Sequence, residues 1–227
     1  MKIYWAGDST VQYNDYLTYP QTGIGQVFNI FVKPEIEIKN HAKNGRSTKS
    51  FIDESRLVPI YDEITEGDFL FIQFGHNDEK IIDPARYCEP FSDYKVNLKK
   101  FIDVARNKKA TPVLITPLMR REFNEDGTVT DGGHGDYVRA MKEVAAEEQV
   151  ALVDLWDKSQ KALEAAGPEE SIKWYMHLPV GVYAYHMEGL EDNTHLRYEG
   201  AVTYAKLIAT GLRELGGIYS DIILAWD

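Results

Sequence analysis

The stretch KIYWAGDST, residues 2–10, places a small hydroxyl residue directly after a short apolar run and a glycine. The β-branched and aromatic residues of KIYWAG predict a strand that ends where GDST begins. In open α/β sheets, ligands collect beyond the carboxyl ends of the strands, so Ser9 stands where a reactive group is expected. Two interpretations follow: Ser9 caps a helix that begins after the strand, or Ser9 is a nucleophile.

Four more short apolar runs are separated by longer segments of helical period, a pattern typical of parallel strands joined by crossover helices. The five predicted strands are KIYWAG at 2–7, EIEIKNHA at 35–42, DFLFIQFG at 68–75, TPVLITPL at 111–118 and VALVDLW at 150–156. Amphipathic helices are predicted at 92–109, with Ser92 as N-cap, and at 136–149 and 198–215. The fold class is therefore α/β: a three-layer α/β/α sandwich around a five-stranded parallel sheet, in a single domain over 1–227.

Two segments follow neither period. Residues 121–137 are rich in Asp and Gly, which predicts a surface hairpin or a mobile loop. Residues 173–195 are rich in aromatic residues but have no helical or strand period, and long irregular segments in compact domains are often functional.

The composition excludes several classes of protein. A net charge of -11 argues against a nucleic-acid partner, which needs clustered Lys and Arg. Cys88 is the only cysteine, so an intramolecular disulfide and a cysteine metal cluster are excluded, and its neighbours RYCEPF lack the signature of a catalytic cysteine. Only Met1 and Lys2 precede the apolar residues of the first strand, and no apolar run approaches the roughly 18 residues of a membrane span. We therefore expect a cytoplasmic protein with no membrane partner, and no feature predicts an oligomeric state.

The second and third predicted strands end in groups that suit an oxyanion. Gly45 lies in NGRS at 44–47, where the absence of a Cβ lets a backbone N–H approach a ligand. Asn77 lies in GHND at 75–78 and offers an amide donor beside that turn. Either stretch, taken alone, is also an ordinary loop.

Near the C-terminus, EDNTHLRYEGA carries Asp192 and His195 three residues apart, before the helix predicted at 198–215. This spacing lets a carboxylate fix the tautomer of an imidazole and leaves the other ring nitrogen facing a nucleophile. A helix cap beside an incidental histidine is the alternative. We place this pair beyond the fifth strand, so that Ser, Gly, Asn, Asp and His all gather at the carboxyl edge of the sheet.

Together these four blocks resemble the SGNH, or GDSL-type, hydrolase superfamily: GDST at 7–10, Gly45, GHND at 75–78 and DNTH at 192–195. The resemblance spans the chain and implies a flavodoxin-like fold with a serine esterase mechanism. It assigns Ser9 as nucleophile, His195 as general base and Asp192 as the carboxylate that orients it. It also implies an oxyanion hole formed by the N–H groups of Ser9 and Gly45 and the amide of Asn77, with no metal or cofactor.

Within that superfamily the chain is similar to rhamnogalacturonan acetylesterases, on the strength of GDST, NGRSTKSF at 44–51 and TPLMRREF at 116–123. The resemblance implies that acetylated pectic oligosaccharides are the substrate. Aromatic rings at Trp174, Tyr175, Tyr183 and Tyr185 would stack on sugars, and nearby basic groups would bind hydroxyls or a uronate. The predicted substrate-binding residues are Arg46, His76, His134, Trp174, Tyr183 and His186.

Three alternatives stay open at this point. A general short-chain acyl esterase or thioesterase would use the same catalytic groups and differ only in its loops. A non-catalytic carbohydrate-binding relative would not need Ser9, Asn77 and His195 together. A metallophosphoesterase would need several Asp and His ligands around two metals, and the sequence lacks the required pairs.

Overall fold

The computed structural model describes residues 1–225. Its main sheet has five parallel strands in the order β2-β1-β3-β4-β5. The strands are β1 Lys2–Gly7, β2 Glu37–Asn40, β3 Phe69–Gln73, β4 Thr111–Ile115 and β5 Ala151–Val153. This confirms the α/β class and the parallel sheet, and the strand order is the flavodoxin-like one. From β1, the chain adds β2 on one side and β3 to β5 on the other, so the connections leave β1 and β3 in opposite directions. Ligands bind at the carboxyl ends of the strands beside such a topological switch point.

Helices cover both faces of the sheet and complete the three layers. They are α1 Ile24–Val27, α2 Thr48–Asp53, α3 Leu57–Glu63, α4 Lys95–Asn107, α5 Gly135–Glu147, α6 Leu155–Ser171, α7 Tyr198–Leu215 and α8 Gly217–Asp221. Successive side chains along a strand point to opposite faces of the sheet, so each strand contributes to the hydrophobic cores on both faces. In β1, Ile3 and Trp5 pack with α1, α6 and α7, whereas Tyr4 and Ala6 pack with α2 to α5. No helix of the described residues is long and apolar enough to cross a membrane.

The start of one helix and the end of one strand differ from those predicted. The segment before α4 is a turn of π-helix, Pro90–Tyr94, preceded by Glu89, so Ser92 lies inside the helical run and is not its N-cap. The fifth strand ends at Val153, because Asp154 accepts a hydrogen bond from the N–H of Asp157 and starts α6 there. The sequence did not show where the strand ends, because apolar residues continue on both sides of Asp154 up to Trp156.

The aromatic segment after α6 contains a strand pair that the sequence did not predict. Strands β6 Tyr175–Leu178 and β7 Leu190–Leu196 form a separate two-stranded antiparallel sheet. Its register is irregular between Tyr175 and Met176, which breaks the period-two pattern. Asp192 and His195 therefore lie on this small sheet and not beyond the fifth strand, so their predicted placement was wrong.

The Asp- and Gly-rich segment after β4 is a hairpin, as one of the two predictions for it stated. Phe123 and Val129 form an isolated antiparallel bridge, and Asn124 and Thr128 bond across the turn between them. The hairpin leads into α5, whose first turn follows His134.

Candidate active site

Ser9 follows β1 at the carboxyl edge of the sheet and is nearly buried. The turn is held by Asp8, whose Oδ1 accepts hydrogen bonds from the N–H and the hydroxyl of Thr10 at 2.9 and 2.8 Å. Among the helices of residues 1–225, none is capped by the hydroxyl of Ser9. Its Oγ lies 2.9 Å from Nε2 of His195, so the structure favours the second of the two interpretations of Ser9.

His195 lies between Ser9 and Asp192 in a row of hydrogen bonds. Its Nδ1 is 2.6 Å from Oδ2 of Asp192, while Oδ1 of the same carboxylate accepts the N–H groups of Thr194 and His195. Burial alone raises the pKa of Asp192, but the hydrogen bonds and charge of His195 and the two N–H donors lower it to about 2. An ionised Asp192 keeps the proton of His195 on Nδ1, which leaves Nε2 free to accept the hydroxyl proton of Ser9.

The small sheet that carries Asp192 and His195 is fixed to the loop after β4 by two arginines. Arg120 donates from Nε to the hydroxyl of Thr194 at 3.2 Å. The next residue, Arg121, donates its N–H to the carbonyl of Asn193 and its Nη1 to the side chain of Asn193. These contacts place β7 across the edge of the main sheet, so His195 reaches Ser9 although 186 positions separate them in the chain.

The three predicted oxyanion donors lie near one another, but their settings differ. Within residues 1–225, the N–H groups of Ser9 and Gly45 donate no hydrogen bond to another protein atom. Gly45 has φ +77, a backbone conformation that favours glycine. Asn77 donates from Nδ2 to the carbonyl of Arg46 at 3.2 Å, directly beside Gly45, and keeps its second N–H.

The orientation of the Asn77 amide is set by Arg86, which the sequence did not single out. Nη1 of Arg86 donates to Oδ1 of Asn77 at 3.2 Å, and Nε of Arg86 pairs with Asp83 at 2.5 Å. Because a guanidinium can only donate, it must face the oxygen of the amide and leaves the nitrogen on the opposite side. The only sequence signal was the position of Arg86 nine residues after Asn77.

A row of buried and partly buried charged and polar groups adjoins the turn that holds Ser9. Nδ1 of His76 is 3.5 Å from Oδ2 of Asp8, and the His76 ring packs against the ring of His134 at 4.3 Å between centroids. His134 in turn contacts Glu79 at 2.5 Å, and Glu79 pairs with Arg120 at 2.6 Å.

Burial raises the pKa of Asp8, but contact with His76 and hydrogen bonds from Thr10 bring it below its ordinary value. Asp8 is therefore an anion that fixes the turn holding Ser9.

Ser9, Asp192 and His195 open into a polar cavity of about 460 Å³. Its other walls include Asn77, the cations Lys80 and Arg120, and the acids Glu122 and Glu191. Burial lowers the pKa of Lys80. Polar walls of mixed charge suit a hydroxyl-rich ligand and not a long acyl chain, because polar groups need partners when a ligand covers them.

The structure separates the six predicted substrate-binding residues. His76 lines the catalytic cavity, and Tyr183 lines a second groove nearby. Arg46 pairs with Glu54, and Trp174 packs edge-on against Tyr204; with His186, they line neither cavity.

His134 was predicted to bind substrate, and this was wrong because the side chain is completely buried. Its partner Glu79 is 55 residues away in the sequence, so this pair could not be seen in the local pattern. Burial lowers the pKa of His134 to about 4, so the ring is neutral near pH 7.

Among residues 1–225, no group of three or more His, Cys, Asp or Glu side chains is arranged to hold a metal ion. Cys88 is buried, and burial raises its pKa to about 11, so the thiol is not a reactive nucleophile near neutral pH.

A flavodoxin-like parallel sheet with a Ser–His–Asp triad at its carboxyl edge defines the class of protein: a serine hydrolase built on a three-layer α/β/α sandwich. A family model described as the GDSL-like Lipase/Acylhydrolase family matches residues 6–178. The chain belongs to this family. The matched region includes Ser9, Gly45 and Asn77, while Asp192 and His195 lie C-terminal to it.

Two relatives come from Bacillus subtilis (strain 168). One is a rhamnogalacturonan acetylesterase, 42% identical over 216 residues that cover 95% of this chain and 91% of the relative. The other is a probable rhamnogalacturonan acetylesterase, 44% identical over 217 residues, with coverage of 94% and 93%. Both alignments extend over most of this chain.

Solved structures show the same fold. A crystal structure of a Bacillus subtilis protein has a TM-score of 0.81 at 26% identity and covers 95% of this chain, which spans 56% of that longer one. An acetylxylan esterase from Geobacillus stearothermophilus has a TM-score of 0.66 at 18% identity, with coverage of 96% and 95%. At such low identity the second likeness concerns the fold alone.

Proposed function

We propose that the protein is a serine esterase that removes O-acetyl groups from pectic oligosaccharides of the rhamnogalacturonan type. The observation that carries this proposal is the row of hydrogen bonds from Asp192 through His195 to Ser9, opening into a polar cavity. The activity named for the two relatives from Bacillus subtilis supports the choice of substrate.

In the proposed reaction, Oγ of Ser9 attacks the acetyl carbonyl carbon while His195 Nε2 accepts the hydroxyl proton. The negative oxygen that forms is held by the N–H groups of Ser9 and Gly45 and the Nδ2 of Asn77. The bond to the sugar oxygen then breaks, and His195 returns the proton to that oxygen. Water, activated by His195, releases acetate from acetyl-Ser9 and restores the enzyme.

The polar walls of the catalytic cavity support a sugar over a lipid. Lys80 and Arg120 offer hydrogen-bond donors to hydroxyls or a uronate, while Glu122 and Glu191 accept hydrogen bonds from hydroxyls. Arg120 is also paired with Glu79, so its guanidinium is held in place before a ligand arrives.

The test measures acetate release from acetylated rhamnogalacturonan fragments and acetylated xylan fragments side by side, with p-nitrophenyl acetate as a generic ester. We expect wild-type enzyme to release acetate from the rhamnogalacturonan fragments and Ser9→Ala to release none. Cleavage of p-nitrophenyl acetate alone would support the catalytic triad of Ser9, His195 and Asp192 but would reject the proposed carbohydrate substrate. The protein would then be a general short-chain esterase. Full activity of Ser9→Ala on any substrate would overturn the proposed mechanism.

The cytoplasmic location stays a prediction from the sequence, which immunodetection in separated cell fractions would check.

The net charge of -11 argues against nucleic acid as a substrate, because its phosphate backbone would be repelled.

A further inference from the structure

A second groove of about 740 Å³ lies beside the catalytic cavity, and its walls carry five tyrosines. We propose that this tyrosine groove, lined by Tyr13, Tyr16, Tyr19, Tyr183 and Tyr198, binds the neutral sugar residues of the chain that carries the acetylated sugar. The inference rests on the proposed function, because it extends the same substrate beyond the reacting group.

The exposure of tyrosines across the molecule singles out this groove. Among residues 1–225, six tyrosine side chains are exposed, and five of them lie in or beside the groove: Tyr13, Tyr16, Tyr19, Tyr185 and Tyr198. The sixth, Tyr61, lies on α3 on another part of the surface. Tyrosines elsewhere, such as Tyr94 and Tyr175, are buried and hydrogen-bonded to backbone carbonyls. Exposed rings gathered in one place mark a binding surface, because solvent contact with aromatic carbon is unfavourable.

The lining of the groove is connected to the catalytic residues at two places. On one side, Arg197 and Tyr198 follow His195 by two and three residues, and the N–H of Thr22 donates to the carbonyl of Leu196 at 2.8 Å. On the other side, Asn14 accepts a hydrogen bond from the side chain of Asn44, the residue before Gly45. A chain whose acetyl group reaches Ser9 therefore has an adjoining surface on which to continue.

The chemistry of the lining fits a neutral sugar. Its charged members are Asp15, Arg197 and Glu199, so acids outnumber bases and a run of uronates would be repelled. Carboxylates accept hydrogen bonds from sugar hydroxyls, and Arg197 already donates to the hydroxyl of Tyr183 at 3.4 Å. Aromatic faces beside polar groups match a pyranose, which has an apolar face and a hydroxyl rim.

The experiment compares two lengths of acetylated rhamnogalacturonan oligosaccharide, a short and a long size fraction, with p-nitrophenyl acetate. The variants are Tyr16→Ala and Tyr198→Ala, each paired with its Phe counterpart, which keeps the ring. We expect each Ala variant to lower kcat/KM for the long fraction, relative to p-nitrophenyl acetate, by roughly five- to tenfold through KM. The Phe variants should restore most of that loss, and the short fraction should show less of it.

Tyr61→Ala is the matched control, because Tyr61 is an exposed tyrosine outside the groove that contacts Lys108. It should leave the ratio between the long fraction and p-nitrophenyl acetate unchanged. Equal losses for both oligosaccharide lengths, or the same loss in Tyr61→Ala, would overturn the groove proposal. So would a wild-type dimer, seen by light scattering, that Tyr16→Ala dissociates, because the groove would then be an interface between copies.

A binding measurement distinguishes failure of the groove proposal from failure of the proposed function. Titration calorimetry of Ser9→Ala with deacetylated rhamnogalacturonan oligosaccharide needs no turnover. Binding that is lost in the Ser9→Ala, Tyr16→Ala double variant supports the groove even where the wild type releases no acetate from sugars. Acetate release that is equal in all tyrosine variants keeps the proposed function and rejects the groove.

Discussion

At the residue scale, the proton held between Ser9 and His195 decides the reaction, since a serine hydroxyl is a weak nucleophile without a base. We expect Ser9→Ala and His195→Ala each to lower kcat for acetate release by about 10⁴- to 10⁶-fold, because the two residues act as one unit. Asp192→Asn should cost less, since Asp192 orients the ring and does not take part in proton transfer to the sugar. Equal losses in Asp192→Asn and His195→Ala would show that the carboxylate does more than orient the ring.

Asn77 makes a separate contribution that appears only when the oxyanion forms. We expect Asn77→Ala to lower kcat by about 10²- to 10³-fold with little change in KM, because its donor stabilises the transition state and not the bound ester. Steady-state kinetics on the rhamnogalacturonan fragments check this. Asn124→Ala, in the exposed hairpin after β4, is the matched control and should be unaffected. A change confined to KM would place Asn77 in substrate binding instead.

At the element scale, the small sheet β6–β7 must be held against the main sheet for His195 to meet Ser9. Arg121 is central to this because it donates to Asn193, to the hydroxyl of Ser171 and to the carbonyl of Pro168. We expect Arg121→Met to destabilise the protein by about 1–3 kcal/mol, since partly buried acceptors lose their donor. Urea unfolding measures this loss.

Arg139→Met is the control for that experiment, because Arg139 is exposed and its hydrogen bond goes to Asp136 on its own helix. Its guanidinium otherwise lies over the exposed ring of Phe91. Its change in unfolding free energy should stay within about 0.5 kcal/mol. Similar losses in both variants would mean that the contacts of Arg121 do not hold β7.

The elements that the sequence predicted correctly are those with an unbroken local signal. Strand β3 could be predicted because residues 69–74, FLFIQF, form a buried and largely apolar run before Gly75, and α7 because apolar residues recur at helical spacing. The β6–β7 sheet could not be predicted, because its register is irregular and, in the described part of the chain, its two strands pair with each other and with no strand of the main sheet. The residues Ser9, Asn77 and His195 were identified through motif resemblance, whereas the support from Arg86 depends on a fold that local pattern does not encode.

At the scale of the whole molecule, two buried groups under the active site tie stability to pH in opposite directions. Burial raises the pKa of Asp78 to about 7, although Thr48 donates two hydrogen bonds to it. Folded Asp78 therefore binds a proton that the unfolded chain has already lost, and its contribution to stability falls as pH rises from 3.8 towards 7. This carboxyl fixes the start of α2 to the GHND block.

His134 works in the other sense, because burial and the neighbouring His76 lower its pKa to about 4 while Glu79 only partly opposes this. Between pH 6.5 and about 4 the unfolded histidine binds a proton that the folded one does not, so stability falls as pH falls through that range. We expect His134→Gln to remove this dependence: the Tm difference between wild type and variant should shrink as pH drops from 7 to about 4. Differential scanning calorimetry at several pH values measures it, with His177→Gln, a partly exposed histidine on β6, as the control. A Tm difference that stays constant with pH would mean that His134 has the same pKa in the folded and the unfolded chain. Its surroundings, His76 and Glu79 among them, would then not hold the ring neutral.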